Sequence, residues 1–277
     1  MIDLHTHTTA SDGRCTPAEL VAHASAAGVT VLSVTDHDTV AACDGVAAAC
    51  STAGIEFVTG IEITAVRDEA DVHVLGYFLD PRSAALRGFL SEQRARRVDR
   101  IRCVIAKLAG HGLRLDADAI LRPALDDPSR SVGRPWVARA LVAAGYVKSG
   151  NEAFAAWLSR GRPGFVPREG AAPEDVIERI HDAGGVASMA HPGLLGRDNW
   201  IAPLAEAGLD AIEAYHTDHG PADTARYLAM AARLTLAVSG GSDYHADESH
   251  GAPRPGATSL PPDEFERLRT TVRSVRL

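Results

Sequence analysis

The order of elements predicts an α/β protein with parallel strands and one helical interruption. Three observations carry that reading. Runs of β-branched and aliphatic residues alternate with amphipathic or alanine-rich runs, most strand-like runs close on histidine or acid, and the alternation stops between about residues 82 and 168. Strand candidates fall at 1–6, 30–35, 56–64, 71–79, 186–190, 210–215 and 235–239, and helices at 17–27, 40–53, 173–184, 198–207, 221–233 and 262–275. Pro17 and Pro173 stand at helix starts with Thr16 placed to cap, and Gly28, Gly54 and Gly184 stand at helix ends. Seven strands with intervening helices suit a seven-stranded barrel, with an open sheet as the alternative that periodicity leaves.

The interrupted stretch reads as helices at 83–110, near 116–121, at 134–145 and at 150–159, with arginines at 94, 96, 97, 100 and 102. The chain therefore divides into a first barrel segment, 1–82, a helical insertion after the fourth strand, 83–168, and a second barrel segment, 169–277. An insertion on the C-terminal side of the strands would form a lid or wall over a site there.

At 277 residues and 45% hydrophobic, the chain can bury one large core. A net charge of −8 argues against general duplex nucleic-acid binding but not against a small anion held by metals or a local arginine cluster. No stretch of about 18 apolar residues lacks charge, so no membrane span is expected. The chain opens on strand-like MIDLHTH, so no signal sequence is expected ahead of it. Cys15, Cys43, Cys50 and Cys103 form no Cys-x-x-Cys pair, so reduced, mostly buried thiols and a cytoplasmic location are expected.

Six segments carry the chemistry: Asp3-Leu4-His5-Thr6-His7, Thr35-Asp36-His37-Asp38, Gly60-Ile61-Glu62, Asp71-Val72-His73, Ala190-His191-Pro192 and Gly241-Ser242-Asp243-Tyr244-His245. Functional groups of parallel α/β folds gather at the C-terminal strand ends, where these segments fall. Residues two apart on a strand share a face, so His5 and His7 project together, and Asp3 on that face could accept an imidazole N–H. Neutral imidazole and carboxylate suit Zn, Mn and Fe, and two or three such ions would use all of these groups. Asp12 could reach the same centre or simply serve its Asp-Gly turn.

MIDLHTHTTASDG, VTDHD, GIEIT, HVLGY, AHPG and GSDYH together resemble the polymerase-and-histidinol-phosphatase (PHP) family of metal-dependent phosphoesterases. GRPWVARALV, GRPGFVPRE and the arginine-bearing helix resemble the subgroup that contains 3′,5′-nucleoside bisphosphate phosphatases. The resemblance implies a distorted (β/α)7 barrel with two or three divalent ions, Mn2+ favoured over Fe2+ or Zn2+. Carried over by motif, one ion uses His5, His7, Glu62 and Asp243, and a second uses Glu62 and His73. A third uses Asp12, His37, His191 and His245. Glu213 is a candidate further ligand of the second ion, with strand-end burial or a hydrogen bond as the alternative. Asp12 is also counted with the catalytic residues.

Arg97 and Arg100, three apart on a helix, can face one side together, either as solvated charge or as a clamp on a second phosphate. Arg134 matches the subgroup's phosphate-side arginine position. His219, beyond a strand end, is the candidate for protonating the leaving group and contacting substrate, while His23, His111 and His181 read as surface residues. The expected activity is hydrolysis of the 3′-phosphate of 3′,5′-bisphosphonucleotides, with short 5′-phosphorylated single-stranded oligonucleotides as further substrates. Histidinol phosphate hydrolysis, amide hydrolysis and a non-catalytic accessory domain are the alternatives.

Overall fold

In the computed structural model, which describes residues 1–247 and 252–275, each strand candidate contributes a strand. β1 (Ile2–Asp3), β2 (Val31–Val34), β3 (Glu56–Arg67), β4 (Ala70–Tyr77), β5 (Val186–Met189), β6 (Ala211–His216) and β7 (Ala237–Gly241) are hydrogen-bonded in chain order. Leu4 N donates to Gly240 O (3.2 Å) and Asp243 N to His5 O (2.8 Å), bringing the last strand to the first. The result is a nearly closed barrel rather than an open sheet. Every residue of β2 and β5 is buried, as expected of strands covered on both faces.

One strand departs from the expected parallel order. β4 pairs antiparallel with both β3 and β5, while the other pairings are parallel. β3 continues beyond its expected end and returns through Asp68 and Glu69, at φ 49° and 59°. Two consecutive left-handed residues make a tight hairpin turn, usually announced by Asn-Gly or Asp-Gly, and an Asp-Glu pair gives no such signal. The consequence is functional: β4 runs downward, so His73 near its start lies on the rim formed by the C-terminal ends of the parallel strands. His73 does not close a strand; it stands in the first half of one.

Helices α1 (Pro17–Ala26) and α2 (Cys43–Ala53) pack beside β2 through Leu20, Ala24, Val46 and Cys50. Thr16 caps α1 reciprocally with Glu19, satisfying two backbone donors. Between β4 and β5 run α3 (Ala84–Gly110), α4 (Ala117–Asp126), α5 (Arg134–Ala143), α6 (Gly150–Ala153) and a π-helical turn at Phe154–Leu158. Ile101, Val104, Leu108, Val137, Leu141 and Leu158 form a separate core within these helices. The unit is tied to the rim by Ser131 N to Ala10 O (2.8 Å), Trp136 Nε1 to Ser11 O (2.8 Å) and Thr39 Oγ1 to Ser129 O (2.6 Å). The second half adds α7 (Pro173–Asp182), the short α8 (Pro192–Leu195), α9 (Ile201–Glu206), α10 (Pro221–Leu234) and α11 (Pro262–Val275). Among the described residues no helix is long and apolar enough to cross a membrane. Cys15, Cys43 and Cys50 are buried free thiols, and Cys103 is exposed.

His181 is not an ordinary surface residue. Its Nε2 lies 2.7 Å from Asp210 Oδ2, which also accepts Ala187 N (2.8 Å), joining the end of α7 to the start of β5. The bond to Asp210 raises the imidazole pKa above its usual 6.5 against the effect of burial. A raised folded-state pKa stabilises fully below the unfolded value, and that contribution is lost as pH rises through the folded one. His181→Ala should therefore cost more in urea unfolding at about pH 5 than at about pH 9, by roughly 1 kcal/mol. An equal cost at both would show that the ion pair carries no stability.

Candidate metal centre and its arginine flank

Glu62 stands at the middle of the rim, carried there because β3 runs on past the level of β2. Its two oxygens face five imidazoles. Oε2 lies 3.4 Å from His5 Nε2, 3.3 Å from His7 Nε2 and 3.0 Å from His37 Nδ1. Oε1 lies 2.7 Å from His73 Nδ1 and 3.1 Å from His191 Nε2. Asp243 Oδ1 is 3.2 Å from Nε2 of both His5 and His7, and Asp12 reaches His245 Nε2 at 3.3 Å and His37 Nε2 at 3.6 Å. All nine side chains singled out in the sequence as metal ligands thus converge on one rim. Gly241 permits the convergence beneath them, since a Cβ there would stand 2.3 Å from His5 N.

Two further residues complete the cluster. Glu213 Oε1 lies 2.9 Å from His5 Nδ1, and Oε2 accepts His191 N at 2.7 Å. Glu213 therefore grips His5 from behind and holds the His191 turn, which resolves its two readings toward the hydrogen-bonded one. His216, which sequence reasoning passed over, is buried with Nε2 3.4 Å from Asp243 Oδ2. Glu213 and His216 have opposite parity on β6, and a register shift between Glu213 and Tyr215 turns both toward the rim. The signal available was the one used elsewhere: His216 closes the run Ala-Ile-Glu-Ala-Tyr-His. Asp3 binds no imidazole among the described residues; it accepts Ser242 N and Oγ (2.9 and 2.6 Å) and Gly256 N (2.7 Å).

The donor set fits divalent cations. Both ring nitrogens of His7, Nδ1 of His37 and His73, and Asp243 Oδ1 are buried without a hydrogen bond, although carboxylates lie close by. Buried polar atoms rarely go unpaired, and these converge without bonding to one another. Four overlapping groups have ligand atoms close enough to share an ion: His7, Asp12, His37 and His245; His5, His216 and Asp243; His5, Glu62 and His191; and His37, Glu62 and His73. This partition differs from the implied one, grouping His7 with Asp12 and His191 with His5 and Glu62. His37, His73 and His5 hold the Glu62 carboxyl well below its usual range against burial, and burial is likewise outweighed at Asp12 and Asp243. His5 is raised well above its ordinary value and His7 to about 10, with burial opposing and the carboxylates prevailing. The rim demands positive charge, which either protons or cations supply. Asp38, His191 and Asp243 sit at φ 50°, 25° and 55°, left-handed backbone of the kind that accumulates at functional sites.

Beside His73, and two residues before it on the same face of β4, lies Asp71. Around it stand Arg168 Nε (3.4 Å), Arg134 Nη2 (3.4 Å) and Arg100 Nη1 (3.8 Å). Despite burial, Arg168, Arg100 and Arg134 hold Asp71 down to about 2, while burial lowers Arg100 to about 10 and Arg168 to about 9. Three guanidiniums against one carboxylate leave a surplus of positive charge. Arg100 Nη2 and Arg168 Nε have no aligned hydrogen-bond partner, which is the condition of an anion receptor. Arg168 lies within GRPGFVPRE, but nothing in its spacing marks it as a site residue.

Two expected roles are corrected by the geometry. Arg97 donates to Asp38 through Nε, to Thr64 Oγ1 (2.9 Å) and to Val132 O (3.2 Å), and is buried with them. Arg97 and Arg100 do face one side, but a turn apart they serve different acids, and Arg97 is the counter-charge of buried Asp38. His219 has Nδ1 3.0 Å from Ala214 O, to which it can only donate, so its Nε2 is the acceptor for Gly193 N (3.2 Å). With burial also lowering its pKa, His219 is neutral and both its nitrogens are engaged. It has no proton to give a leaving group and no free nitrogen for substrate.

An α/β barrel with imidazoles and carboxylates gathered on one rim beside surplus arginine defines a metal-dependent hydrolase for anionic esters. Comparison with known proteins gives the family. Residues 3–114 match the PHP domain. The chain is 35% identical over 266 residues to a 3′,5′-nucleoside bisphosphate phosphatase of Chromobacterium violaceum, covering 94% of this chain and 93% of that one. It is 34% identical over 255 residues to the 5′-3′ exoribonuclease Rnm of Escherichia coli, covering 88% and 84%. A solved metal-dependent phosphoesterase from Bifidobacterium adolescentis superposes with a TM-score of 0.88 at 32% identity, over 97% of this chain and 95% of that one. The chain belongs to the PHP family and is a metal-dependent phosphoesterase.

Glu62→Gln removes the charge that the five imidazoles share. Elemental analysis should show the loss of at least one metal equivalent, and kcat/KM should fall on the order of 10⁴-fold, as for groups acting as a unit; unchanged metal content would detach Glu62 from the centre. Arg97→Ala should lower unfolding free energy by about 3–5 kcal/mol, because Asp38 is left buried and unpaired. A stable Arg97→Ala protein with a raised KM would return Arg97 to the substrate.

Proposed function

We propose that this chain removes the 3′-phosphate from 3′,5′-bisphosphonucleotides, adenosine 3′,5′-bisphosphate among them, as a cytoplasmic enzyme using Mn2+ ahead of Fe2+ or Zn2+. One observation carries the reading: Asp71, inside its arginine ring, and His73, on the metal rim, are two residues apart on one strand face. That is a separation of about 6.6 Å, the span a ribose covers between its 5′- and 3′-phosphates. A ligand with two phosphates on one sugar meets both sites at once. Histidinol phosphate, with a single phosphate, leaves the arginine flank unused, and a non-catalytic accessory role leaves the whole donor set unused.

In this reading His5, His7, Asp12, His37, Glu62, His73, His191, Asp243 and His245, with His216 added, hold two or three divalent ions. Such ions supply activated water near neutral pH and offset the charge on phosphoryl oxygens. Arg100, Arg134 and Arg168 bind the 5′-phosphate and so hold the 3′-phosphate at the rim, converting an encounter into an oriented one. Glu213 fixes His5, and His219 buttresses the turn carrying His191. Asp12, ionised, orients His37 and His245, and the leaving 3′-oxygen takes its proton from solvent. Residues 83–168 act as the lid that presents the arginines. The same anchor accepts the 5′ end of short phosphorylated oligonucleotides, the second reading, which the Escherichia coli relative's name favours.

A nucleoside 3′-monophosphate, lacking the anchored group, should lose about 10²-fold in kcat/KM, the worth of one strong charge-assisted contact. Arg168→Ala should impose a similar loss on the bisphosphonucleotide and leave the 3′-monophosphate unaffected. Equal hydrolysis of both substrates by the parent protein would make general phosphatase the better description.

A further inference from the structure

Two adjoining clefts open at the rim edge away from the arginine flank. One of about 330 Å³ is lined by Ser11, Gly13, Arg14, Arg130 and Arg139. The other, of about 570 Å³, shares Arg14 and Arg139 and adds Lys148, Asn151 and Asp247. Together they form one groove beginning at the cluster, since Gly13 follows Asp12, Asp247 lies two residues after His245, and Arg139 Nη1 donates to Asp12 O (3.1 Å). Arg14 and Lys148 are exposed, and among the described residues Arg14, Arg139 and Lys148 form no ion pair with a carboxylate. Asp247 lines the groove near Arg139 and tempers the field there. In a chain of net charge −8, three cations along one groove with no carboxylate ion-pair partner among the described residues are a local reversal of sign.

The order along the rim gives that reversal a direction. His37 belongs to one donor group with Glu62 and His73 and to another with Asp12 and His245. The sequence across the surface is therefore arginine flank, His73, His37, Asp12 with His245, then the groove. Resting on the reading that the flank holds a 5′-phosphate and the rim the 3′-phosphate, we infer that the groove of Arg14, Arg139 and Lys148 binds the sugar–phosphate backbone of single-stranded nucleic acid continuing beyond the scissile phosphate. The bond broken is the same in both substrates: water oxygen joins phosphorus, the P–O3′ bond breaks, and the 3′-oxygen is protonated by solvent. With an oligonucleotide the phosphate stays on the downstream piece as a new 5′-phosphate. That product is again a substrate, and the groove keeps it beside the site.

The test compares the parent with Arg14→Ala/Lys148→Ala. With a 5′-phosphorylated pentaribonucleotide the double variant should lose about tenfold in kcat/KM, and the slope of log affinity against log salt should shrink by about 1.4, from roughly 0.7 per phosphate contact. Adenosine 3′,5′-bisphosphate, which ends at the rim, should be hydrolysed at the parent rate. Equal loss on both substrates, or no loss on the pentanucleotide, overturns the groove. Fluorescence anisotropy with a phosphorothioate oligonucleotide lacking the 5′-phosphate separates this inference from the function it rests on. Weaker binding by the double variant supports the groove even if bisphosphonucleotide hydrolysis fails, and unchanged binding overturns it.

Discussion

A single buried carboxylate, Glu62, organises the functional rim, because it confronts five imidazoles from four different segments. Such an arrangement is stable only if the total charge balances, and the surroundings are built to hold every member in place while it does. Asp3 fastens the β7 loop through Ser242 and Gly256, Asp36 ties the turn after His7 through Thr8 and Ser11, and Asp38 is neutralised by Arg97. Each of these acids is buried and hydrogen-bonded, so each fixes backbone as well as charge. Their removal would loosen ligand-bearing loops without touching a ligand.

The reversed strand β4 joins the rim to the arginine flank. Because it begins at the rim, its first residues alternate between the barrel and the site, and Asp71 and His73 share one face. His73 belongs to the metal rim, and Asp71 collects arginines from α3, from α5 and from the segment re-entering the barrel. A parallel strand in this position would have placed the arginine flank on the far side of the barrel. The hairpin at Asp68–Glu69 is thus what brings the arginine flank beside His73 and, in the proposed reading, a second anion site within one sugar of the first.

The barrel and the convergence of the nine candidate ligands on one rim were legible because burial enforces β-branched strands and because His and acid at strand ends have few structural uses. What escaped the sequence escaped for identifiable reasons. The β3–β4 hairpin turns on two acids in place of glycine or asparagine, and His216 depends on a register shift that parity cannot foresee. Arg97 and Arg100 have the same helical spacing from any partner, so only the positions of Asp38 and Asp71 decide which arginine neutralises the fold and which is left over for a ligand. His219 looked reactive because it lies beyond a strand end, and its two backbone bonds make it a brace.

The central claim is that Glu62 stands where two donor groups, His5 with His191 and His37 with His73, would both use it to hold a divalent ion. Anomalous diffraction at the manganese edge, on crystals grown with Mn2+, tests it most directly. The account predicts at least two peaks within bonding distance of Glu62, one on the His5–His191 side and one on the His37–His73 side. Peaks confined to positions out of reach of Glu62, or its carboxylate turned away from occupied sites, would contradict it.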